Sequence, residues 1–480
     1  MFNIQNTETK RTLKTNAILN AIRQSSSVVL PLITFPYVSR ILGSIQYGRY
    51  SFSASIVSYF YLFSTYGISN YAVREGARIR DNQKKISNLA SDLLVFNIVT
   101  AIISYILLGL FVIGNAKIRE YSFLIFIQSL CIVFTMLGVD WINIVFEDFF
   151  YITVRYIALQ IIALILIFYL IKSPADVGKY CLILVTASYG GNLLNLIYVR
   201  KYVKIKIKRR INLKHYYVPL SMLFINSLAT MVYVNSDITM LGFFQSDEAV
   251  GIYSFASRIY NVLKHLINSI IIVSVPRLAH ICEENKELYT AYVHKIFKLL
   301  MFVIFPIVII FSVFSDSIIY IAGGKEYISG SESFKILMIA LIFALLASVF
   351  TNCILIINRL EKYCLISTII SAVVNVGLNL HLLSIWGISG AAITTSIAEA
   401  SNLCMQSYFA RKKLGTKLII NKNNFYVILI ASFNVLLVCI LINYFVSADT
   451  IIQTLFKISI GCLISAIVYI LTFILNYSRR

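Results

Sequence analysis

Leu93–Ala116 reads LLVFNIVTAIISYILLGLFVIGNA, a run of 24 residues without a charged side chain. As a helix this run is about 36 Å long, enough to cross the ~30 Å hydrocarbon core of a bilayer. Similar runs fill the 480-residue chain, which is 59% hydrophobic and only 13% charged, with a mean hydropathy of +0.81. A water-soluble core cannot absorb this much apolar surface, so the sequence predicts an all-α integral membrane protein.

About fourteen transmembrane helices are predicted, joined by short loops that leave no room for a soluble catalytic domain. The predicted spans are 16–38, 47–70, 89–113, 122–146, 153–172, 179–199, 218–244, 250–275, 296–321, 335–357, 363–385, 388–409, 425–446 and 451–475. The first span is interpreted as a retained helix rather than a signal peptide, because no cleavage site follows it.

The distribution of positive charge predicts the orientation of the chain. The formal net charge is +21, and with the N-terminus inside, 30 Lys and Arg residues fall in inside segments against 7 in outside loops. This positive-inside bias predicts that both termini are cytoplasmic. The basic runs Arg200–Lys214 and Arg411–Lys422 are then cytoplasmic loops that face anionic lipid head groups, and nucleic acid is not an expected partner.

A motif repeats at an offset of about two hundred residues. Leu42-Gly43 followed by Gly48-Arg49-Tyr50-Ser51-Phe52 returns as Leu241-Gly242 followed by Gly251-Ile252-Tyr253-Ser254-Phe255. A second echo joins Asn192…Arg200-Lys201 to Asn402…Arg411-Lys412. The matches favour an internal duplication of six-helix units with the same orientation, as parallel repeats. The predicted domains are a cytoplasmic N-terminus (1–15), an N-lobe (16–210), a C-lobe (211–415) and an extra C-terminal hairpin (416–480).

Span 8 carries polar residues along one helical face, in the middle of apolar sequence. Their spacing is i, i+4, i+7, i+11 and i+14, and Lys264 lies beside them. The residues are Ser254, Arg258, Asn261, His265 and Asn268. Charges at this depth are costly and need a reason, which is either a wet cationic cavity or a structural network between helices.

Other ionisable residues within the spans are weaker candidates. Arg23 lies on a polar face of span 1, where it either lines a cavity or extends to the inner interface. Asp140 is expected at the depth of Arg23, and Asp237 at the depth of Arg258, so each carboxylate is expected to form an ion pair there. Glu399, in span 12, is a candidate proton-coupling or ion-binding carboxylate. Two prolines of span 1 suit a bending gate or hinge: Pro31 and Pro36.

Several classes of protein have no support in the sequence. Gly323-Gly324-Lys325-Glu326 lacks the spacing of a phosphate-binding ATPase loop, and cysteine spacing does not indicate a metal site. The sequence offers no nucleophile elbow and no HExxH motif. An enzyme is therefore not expected, nor is a cofactor.

The stretch from Asn16 to Gly48 resembles the opening signature of bacterial polysaccharide repeat-unit flippases. The most specific part is Pro31–Val38, PLITFPYV, with Arg23-Gln24 before it, and Tyr66-Gly67-Ile68 and Val73-Arg74-Glu75 continue the match. These proteins are the O-antigen and capsule branch of the multidrug/oligosaccharidyl-lipid/polysaccharide exporter superfamily. The extra hairpin departs from members with twelve spans.

The resemblance implies a substrate, an undecaprenyl-diphosphate-linked oligosaccharide moved across the bacterial cytoplasmic membrane by alternating access through a cationic cavity. Polysaccharide polymerase and chain-length proteins are further candidate partners. A multidrug antiporter of the same superfamily is the alternative, and it predicts acidic residues on span 1, where this chain has Arg23. Seven residues are expected to contact substrate. The preferred three are Arg23, Arg258 and Lys264. His265 and Asn261 lie near them in the cavity, and Arg40 and Arg49 flank its outer mouth.

Overall fold

A computed structural model describes residues 13–205, 213–415, 422–446 and 450–478, and the described chain is helical with short connections. The basic runs predicted as cytoplasmic loops lie partly outside the described residues, as do residues 1–12 of the predicted N-terminus. The first half forms nine helices in the described part: α1 Leu13–Thr65, α2 Ile68–Ile79, α3 Gln83–Gly114, α4 Ala116–Arg119, α5 Ser122–Met136, α6 Asp140–Val145, α7 Phe149–Leu170, α8 Val177–Val185 and α9 Gly191–Tyr198.

The second half contains longer helices. They are α10 Leu213–Phe244, α11 Asp247–Glu284, α12 Lys286–Val313, α13 Ser315–Gly323, α14 Ser331–Val349, α15 Glu361–Leu414, α16 Lys422–Phe445 and α17 Ile451–Ser478. Short 3₁₀ or π-helical turns extend several helices of both halves: Pro174–Asp176, Thr186–Gly190, Val199–Lys201, Lys325–Gly330 and Phe350–Leu355. Side-chain caps fix where three helices begin, since Asn82, Ser246 and Asn285 each accept a hydrogen bond from a backbone N–H in the first turn.

Eleven segments of the described chain are long and apolar enough to span a membrane, which confirms the all-helical membrane fold. One runs from Ile18 to Ile79 and another from Glu361 to Leu414, with 62 and 54 residues, about twice the length that one crossing needs. Each contains a glycine with positive φ, Gly43 at 71° and Gly387 at 52°, where the helix bends. The count of about fourteen spans stays a prediction.

Helix α1 continues through both of the prolines proposed as a hinge. Thr34 Oγ1 donates to the carbonyl of Pro31 at 3.1 Å, and Ser39 Oγ donates to that of Pro36 at 3.2 Å. Both bonds go to the carbonyls of the prolines themselves, so they do not replace the missing proline N–H groups, which would have bonded to the carbonyls of Ser27 and Leu32. The backbone of α1 leaves helical geometry at Gly43. A hinge at Pro31 and Pro36 stays a prediction.

The described residues fall into two compact units. The first ends at Leu42, resumes at Ser53 and continues to Leu228. Its core forms where the amphipathic helix α2 lies against α3 and α6, with Tyr71 and Ala72 buried. Gly76 lets α2 approach α6 closely, because a Cβ there would collide with the side chains of Trp141 and Val145.

The second unit contains Gly43–Phe52 and the chain from Ala229 onward. Its C-terminal hairpin, α16 and α17, packs around the buried ring of Phe314. Ala431 and Val435 line this contact from α16, and Tyr469 lines it from α17. The predicted lobe and hairpin boundaries stay predictions; Gly43–Phe52, predicted in the N-lobe, lies in the second unit.

The repeated motif brings its own two copies together inside this second unit. A Cβ on Gly48 would overlap the carbonyl oxygen of Asp247, and a Cβ on Gly251 would overlap that of Ser44. Gly48 and Gly251 are 203 residues apart, as are Ser44 and Asp247. The contact is therefore self-complementary, as in an interface between two copies of one unit. This arrangement supports the interpretation of the sequence as a duplication.

Candidate functional site

Helix α11 holds the cationic face that the sequence predicts. Arg258 and His265 are exposed, and Lys264 and Asn261 are half-buried. Asn261 Nδ2 donates to the carbonyl of Ser257 at 2.9 Å, and Asn268 accepts a hydrogen bond from Ser348. One part of the face thus joins helices, as a structural network would, whereas Arg258 and His265 remain accessible to a ligand.

Lys264 contacts Glu399, which lies on α15. The distance between Lys264 Nζ and Glu399 Oε1 is 2.6 Å, and the carboxylate side chain is 4% exposed against 30% for the lysine. Tyr260 OH donates to the same oxygen at 3.2 Å. The structure therefore joins two residues that the sequence placed in separate roles, a substrate contact and a coupling carboxylate. The pair neutralises both charges at this depth.

Asp237, on α10, lies in a second polar cluster. This cluster includes Thr395 of α15, one helical turn before Glu399. Tyr253 OH donates to Asp237 Oδ2 at 2.7 Å, Asn379 Nδ2 donates to Oδ1 at 2.7 Å, and Thr395 donates to Oδ2. Neighbouring amide and hydroxyl groups extend the cluster through Asn375, Ser236 and Thr394. We call these residues the Asp237 cluster.

The expected pairing of Asp237 with Arg258 is wrong. The carboxylate is held by neutral hydroxyl and amide donors, and donors of this kind stabilise an ionised carboxylate. A buried acid without a cationic partner is chemically able to exchange a proton or a small cation. Among the described residues, no three His, Cys, Asp or Glu side chains come together to hold a metal ion.

The first unit contains a partly buried ion pair of Asp140 with a different cation from the expected one. Arg155 Nη2 lies 2.7 Å from Asp140 Oδ2, and Asn195 Nδ2 donates to Asp140 Oδ1 at 2.6 Å and to Asn143 Oδ1 at 2.8 Å. The expected pairing of Asp140 with Arg23 is therefore wrong. Arg155 lies near the start of the predicted span 153–172 and was not singled out there, whereas α7 begins at Phe149 and places Arg155 inside the helix.

Among the described residues, Arg23 has a weak hydrogen-bond partner on its own helix. Its Nη2 donates to Asn20 Oδ1 at 3.3 Å, and its Nε is buried without a hydrogen-bond partner. The charge of Arg23 is thus not neutralised by Asp140, which leaves the guanidinium suited to an anionic ligand.

The two arginines expected at the outer mouth differ in environment. Arg40 is exposed on α1. Arg49 Nε lies 3.8 Å from Asp247 Oδ2, beside the crossing of Gly48 and Gly251. Ser44 N in the same segment donates to Glu326 Oε2 at 3.0 Å. Arg49 is therefore part of a set of polar contacts that joins Gly43–Phe52 to the rest of the second unit.

A further charged cluster lies at the predicted cytoplasmic end of the first unit. Asp148 accepts hydrogen bonds from Tyr198 OH at 2.6 Å and Tyr202 OH at 2.9 Å, and Lys201 Nζ lies 3.4 Å away. Burial raises the pKa of Asp148, but these hydrogen bonds and the ammonium group outweigh burial, so the pKa lies below its ordinary value. Burial also raises the pKa of Tyr202 to about 12.

This fold, with polar clusters inside membrane-spanning helices, is that of a multi-pass membrane transporter. The family model described as "Polysaccharide biosynthesis protein" matches residues 13–282, and the model "Lipid II flippase MurJ" matches residues 192–472. The chain belongs to the polysaccharide biosynthesis protein family, within the flippases of the multidrug/oligosaccharidyl-lipid/polysaccharide exporter superfamily. This confirms the family resemblance noted in the sequence.

Two curated relatives and two solved structures are similar to the chain. It is 24% identical over 277 residues to the "Putative O-antigen transporter" of Escherichia coli (strain K12), a match that covers 56% of this chain and 66% of that protein. A protein of the same name from Shigella dysenteriae is 24% identical over 274 residues, covering 56% of this chain and 67% of that one. The matched stretch thus spans about two thirds of these relatives.

The solved structures resemble the chain in fold. A structure of lipid II flippase MurJ in an inward closed conformation has a TM-score of 0.75 at 18% identity, covering 96% of this chain and 99% of that one. A multidrug resistance MATE family transporter in an inward-facing conformation has a TM-score of 0.58 at 14% identity, covering 83% and 98%. The MurJ structure is the closer of these two over nearly the whole chain.

Proposed function

We propose that this protein is a flippase that moves undecaprenyl-diphosphate-linked oligosaccharide repeat units from the inner to the outer leaflet of the bacterial cytoplasmic membrane. The observation that carries the proposal is the accessible cationic face of α11, where Arg258 and His265 are exposed within a membrane-spanning helix. Membership of the polysaccharide biosynthesis family supports it. The polymer made from the repeat units would be an O-antigen, a capsule or an exopolysaccharide.

The chemistry of the substrate matches these side chains. A diphosphate needs donors that keep their positive charge in a region of low dielectric constant, and arginine guanidinium groups do so at all physiological pH values. We assign the diphosphate and acidic sugars to Arg23, Arg258 and Lys264, with Asn261 and His265 as polar contacts beside them. Arg40 and Arg49 would meet the substrate at the outer mouth, while the lipid tail remains in the bilayer.

The transport step we propose is alternating access through a cationic cavity, with Pro31 and Pro36 as the hinge of the first helix. The Asp237 cluster is the proposed coupling site, because its carboxylate has neutral partners and can exchange a proton or a small cation. Asp140 differs in this respect, since its partly buried ion pair with Arg155 suits a structural role.

A multidrug antiporter is less well supported. Exporters of cationic drugs need acidic groups facing their ligand, whereas the exposed ionisable groups on the central part of α11, between Ser254 and Asn268, are Arg258 and His265. The MATE transporter resembles this chain at the level of fold.

The proposal is tested by deleting the gene and measuring surface glycan together with lipid-linked repeat units. A flippase deletion should abolish surface polymer while intact repeat units accumulate in the inner leaflet. Complementation with Arg258→Gln should restore surface polymer poorly, and Arg78→Gln, a substitution of an exposed cation on α2, should restore it fully. Normal surface polymer in the deletion strain, with new sensitivity to cationic dyes, would reject the flippase.

A further inference from the structure

The contact between Lys264 and Glu399 creates a conflict with substrate binding that the proposed function does not resolve. Lys264 cannot make full use of its charge for a diphosphate while it remains 2.6 Å from a buried carboxylate. We propose that the substrate diphosphate takes Lys264 away from Glu399, and that Glu399 takes up one proton in the same binding event. This inference rests on the proposed function.

Glu399 depends on Lys264 for its negative charge. The titratable side chains that face it are Lys264 and Tyr260 from α11 and Tyr233 from α10. The two tyrosine hydroxyls are neutral. The neighbouring acid, Asp237, has a charge of the same sign as Glu399 and acts on the same two tyrosines. Among the described residues, Lys264 is thus the cation that contacts the Glu399 carboxylate.

Removing that cation changes the preferred state of the carboxyl group. Glu399 is almost completely buried, and a buried carboxylate that loses its positive partner favours the protonated form. Tyr260 already contacts Oε1, so a protonated Glu399 keeps a hydrogen-bond partner. The proton therefore replaces the ammonium group as the charge that balances the carboxylate.

Lys264 is placed to exchange partners. Its side chain is partly accessible, and a lysine ammonium on a flexible four-carbon stem can reorient without moving the helix. Arg258 and His265 lie on the same helix and are exposed, so a diphosphate drawn to them comes near Lys264. In the exchange, the contact from Nζ to Oε1 breaks, a contact from Nζ to a phosphate oxygen forms, and one proton from water binds Glu399.

This exchange predicts how affinity depends on pH. If the free protein has an ionised Glu399 and the complex a protonated one, each bound substrate takes up one proton, and Kd rises about tenfold per pH unit. Glu399→Gln cannot compete for Lys264 and cannot titrate. Its Kd should therefore be independent of pH and, at the alkaline end, lower than that of the unsubstituted protein.

The test is binding of undecaprenyl-diphospho-N-acetylglucosamine to the full-length protein in lipid nanodiscs, between about pH 6 and pH 8.5. This probe is a diphosphate diester that keeps its two charges over the whole range. Calorimetry in buffers of different ionisation enthalpy counts the protons taken up. Glu361→Gln, an exposed acid at the start of α15, is the matched control.

Support requires the tenfold slope and one proton in the parent protein and in Glu361→Gln, with both lost in Glu399→Gln. A parent protein that binds the probe with no slope, or a slope retained in Glu399→Gln, would overturn the inference and leave the flippase intact. Absence of binding at every pH by folded protein would reject the proposed function itself. The double variant Lys264→Met/Glu399→Gln, which leaves no unpaired charge, should bind weakly and without a slope.

Discussion

Three acids within the helices of this protein are stabilised in three different ways. Asp140 has an arginine, Glu399 has a lysine, and Asp237 has hydroxyl and amide donors. The sequence identified all three acids as unusual, because charge inside a span is costly. It assigned the wrong partner to Asp140 and to Asp237. Helical periodicity gives depth and face, but the partner depends on which helices are neighbours and on where each helix begins.

Breaking the pair of Asp140 and Arg155 should destabilise the protein strongly. Arg155 is 9% exposed and Asp140 33% exposed, so Asp140→Asn, which leaves the guanidinium without its partner, should cost about 3–5 kcal/mol, and Arg155→Met, which leaves a partly solvated carboxylate, should cost less. The double variant should cost less than the sum of the two. The free energy of unfolding in mixed micelles measures this, with Arg80→Met and Glu147→Gln as the matched exposed pair. Those two should cost less than about 1 kcal/mol, and equal losses for both pairs would contradict the prediction.

Asp148 should make stability depend on pH in the acid range. Its pKa is lower in the folded protein than in the unfolded chain, because the hydrogen bonds from Tyr198 and Tyr202 and the charge of Lys201 outweigh burial. The stabilisation is complete above the unfolded value of about 3.9 and disappears as pH falls through the lower folded value. Asp148→Asn should thus cost about 1–2 kcal/mol at neutral pH.

The measurement for Asp148 is the unfolding free energy between about pH 7 and pH 2.5. The gap between the parent protein and Asp148→Asn should close at the acid end. Tyr202→Phe removes one donor while keeping the carboxylate, so it should move the loss of stability to a higher pH. A gap that widens on acidification would show that the carboxylate is not stabilised in its ionised form.

At the scale of helices, the crossing at Gly48 and Gly251 should be intolerant of any side chain. A Cβ at either position would overlap backbone, which cannot move aside as a flexible side chain can. Gly48→Ala and Gly251→Ala should each lower the yield of folded protein and cost at least about 2–3 kcal/mol, as an overpacked contact does. Thermal unfolding in detergent is the measurement.

Gly109→Ala is the control for that crossing. A Cβ at Gly109, inside α3, meets nothing within 4 Å. It should therefore be neutral or stabilising by up to about 1 kcal/mol, the usual difference between alanine and glycine in a helix. If all three variants behaved alike, helix propensity rather than the close approach would explain the result.

Sequence reasoning predicted the helices well and their junctions less well. A run such as Leu93–Ala116 defines a helix by composition alone, and α3 covers this run up to Gly114. The sequence pattern alone does not distinguish a bend at Gly43 from a bend at Pro31 or Pro36. In the structure, α1 continues through both prolines and leaves helical geometry at Gly43. The repeated Gly-x-Tyr-Ser-Phe motif indicated duplication, but its function as a contact between the two copies depends on packing at long range. No local pattern contains that information.

The duplication also explains why the phenylalanine of the Gly-x-Tyr-Ser-Phe motif is buried in both copies. Phe52 and Phe255, equivalent members of the two copies, are both fully buried, and each packs against a glycine, Gly242 and Gly323 respectively. The glycine at the start of the motif allows the crossing, and the aromatic ring at its end fills the space that another glycine leaves open. A substitution in one copy should therefore have a counterpart of similar cost in the other.

For the whole molecule, charge distribution predicts the direction of insertion. With 30 Lys and Arg in inside segments against 7 outside, the loop between α13 and α14 should be extracytoplasmic, and the turn before α3 cytoplasmic. Ser329 and Gln83 are exposed there. Ser329→Cys should react with a membrane-impermeant maleimide in intact cells, and Gln83→Cys only after permeabilisation.

The labelling needs a background in which the accessible cysteines are replaced by serine, because Cys131, Cys181, Cys353 and Cys439 are buried but Cys404 is exposed and Cys282, Cys364 and Cys462 are partly exposed. A fluorescent protein fused after Arg480 should fluoresce, since both termini are predicted to be cytoplasmic and such domains fold there. Reversed labelling of the two positions would mean that the chain is inserted in the opposite orientation. Arg258 and Lys264 would then lie at different depths from the leaflet where substrate is loaded. That outcome would contradict the direction of transport, from inner to outer leaflet, while leaving the fold unchanged.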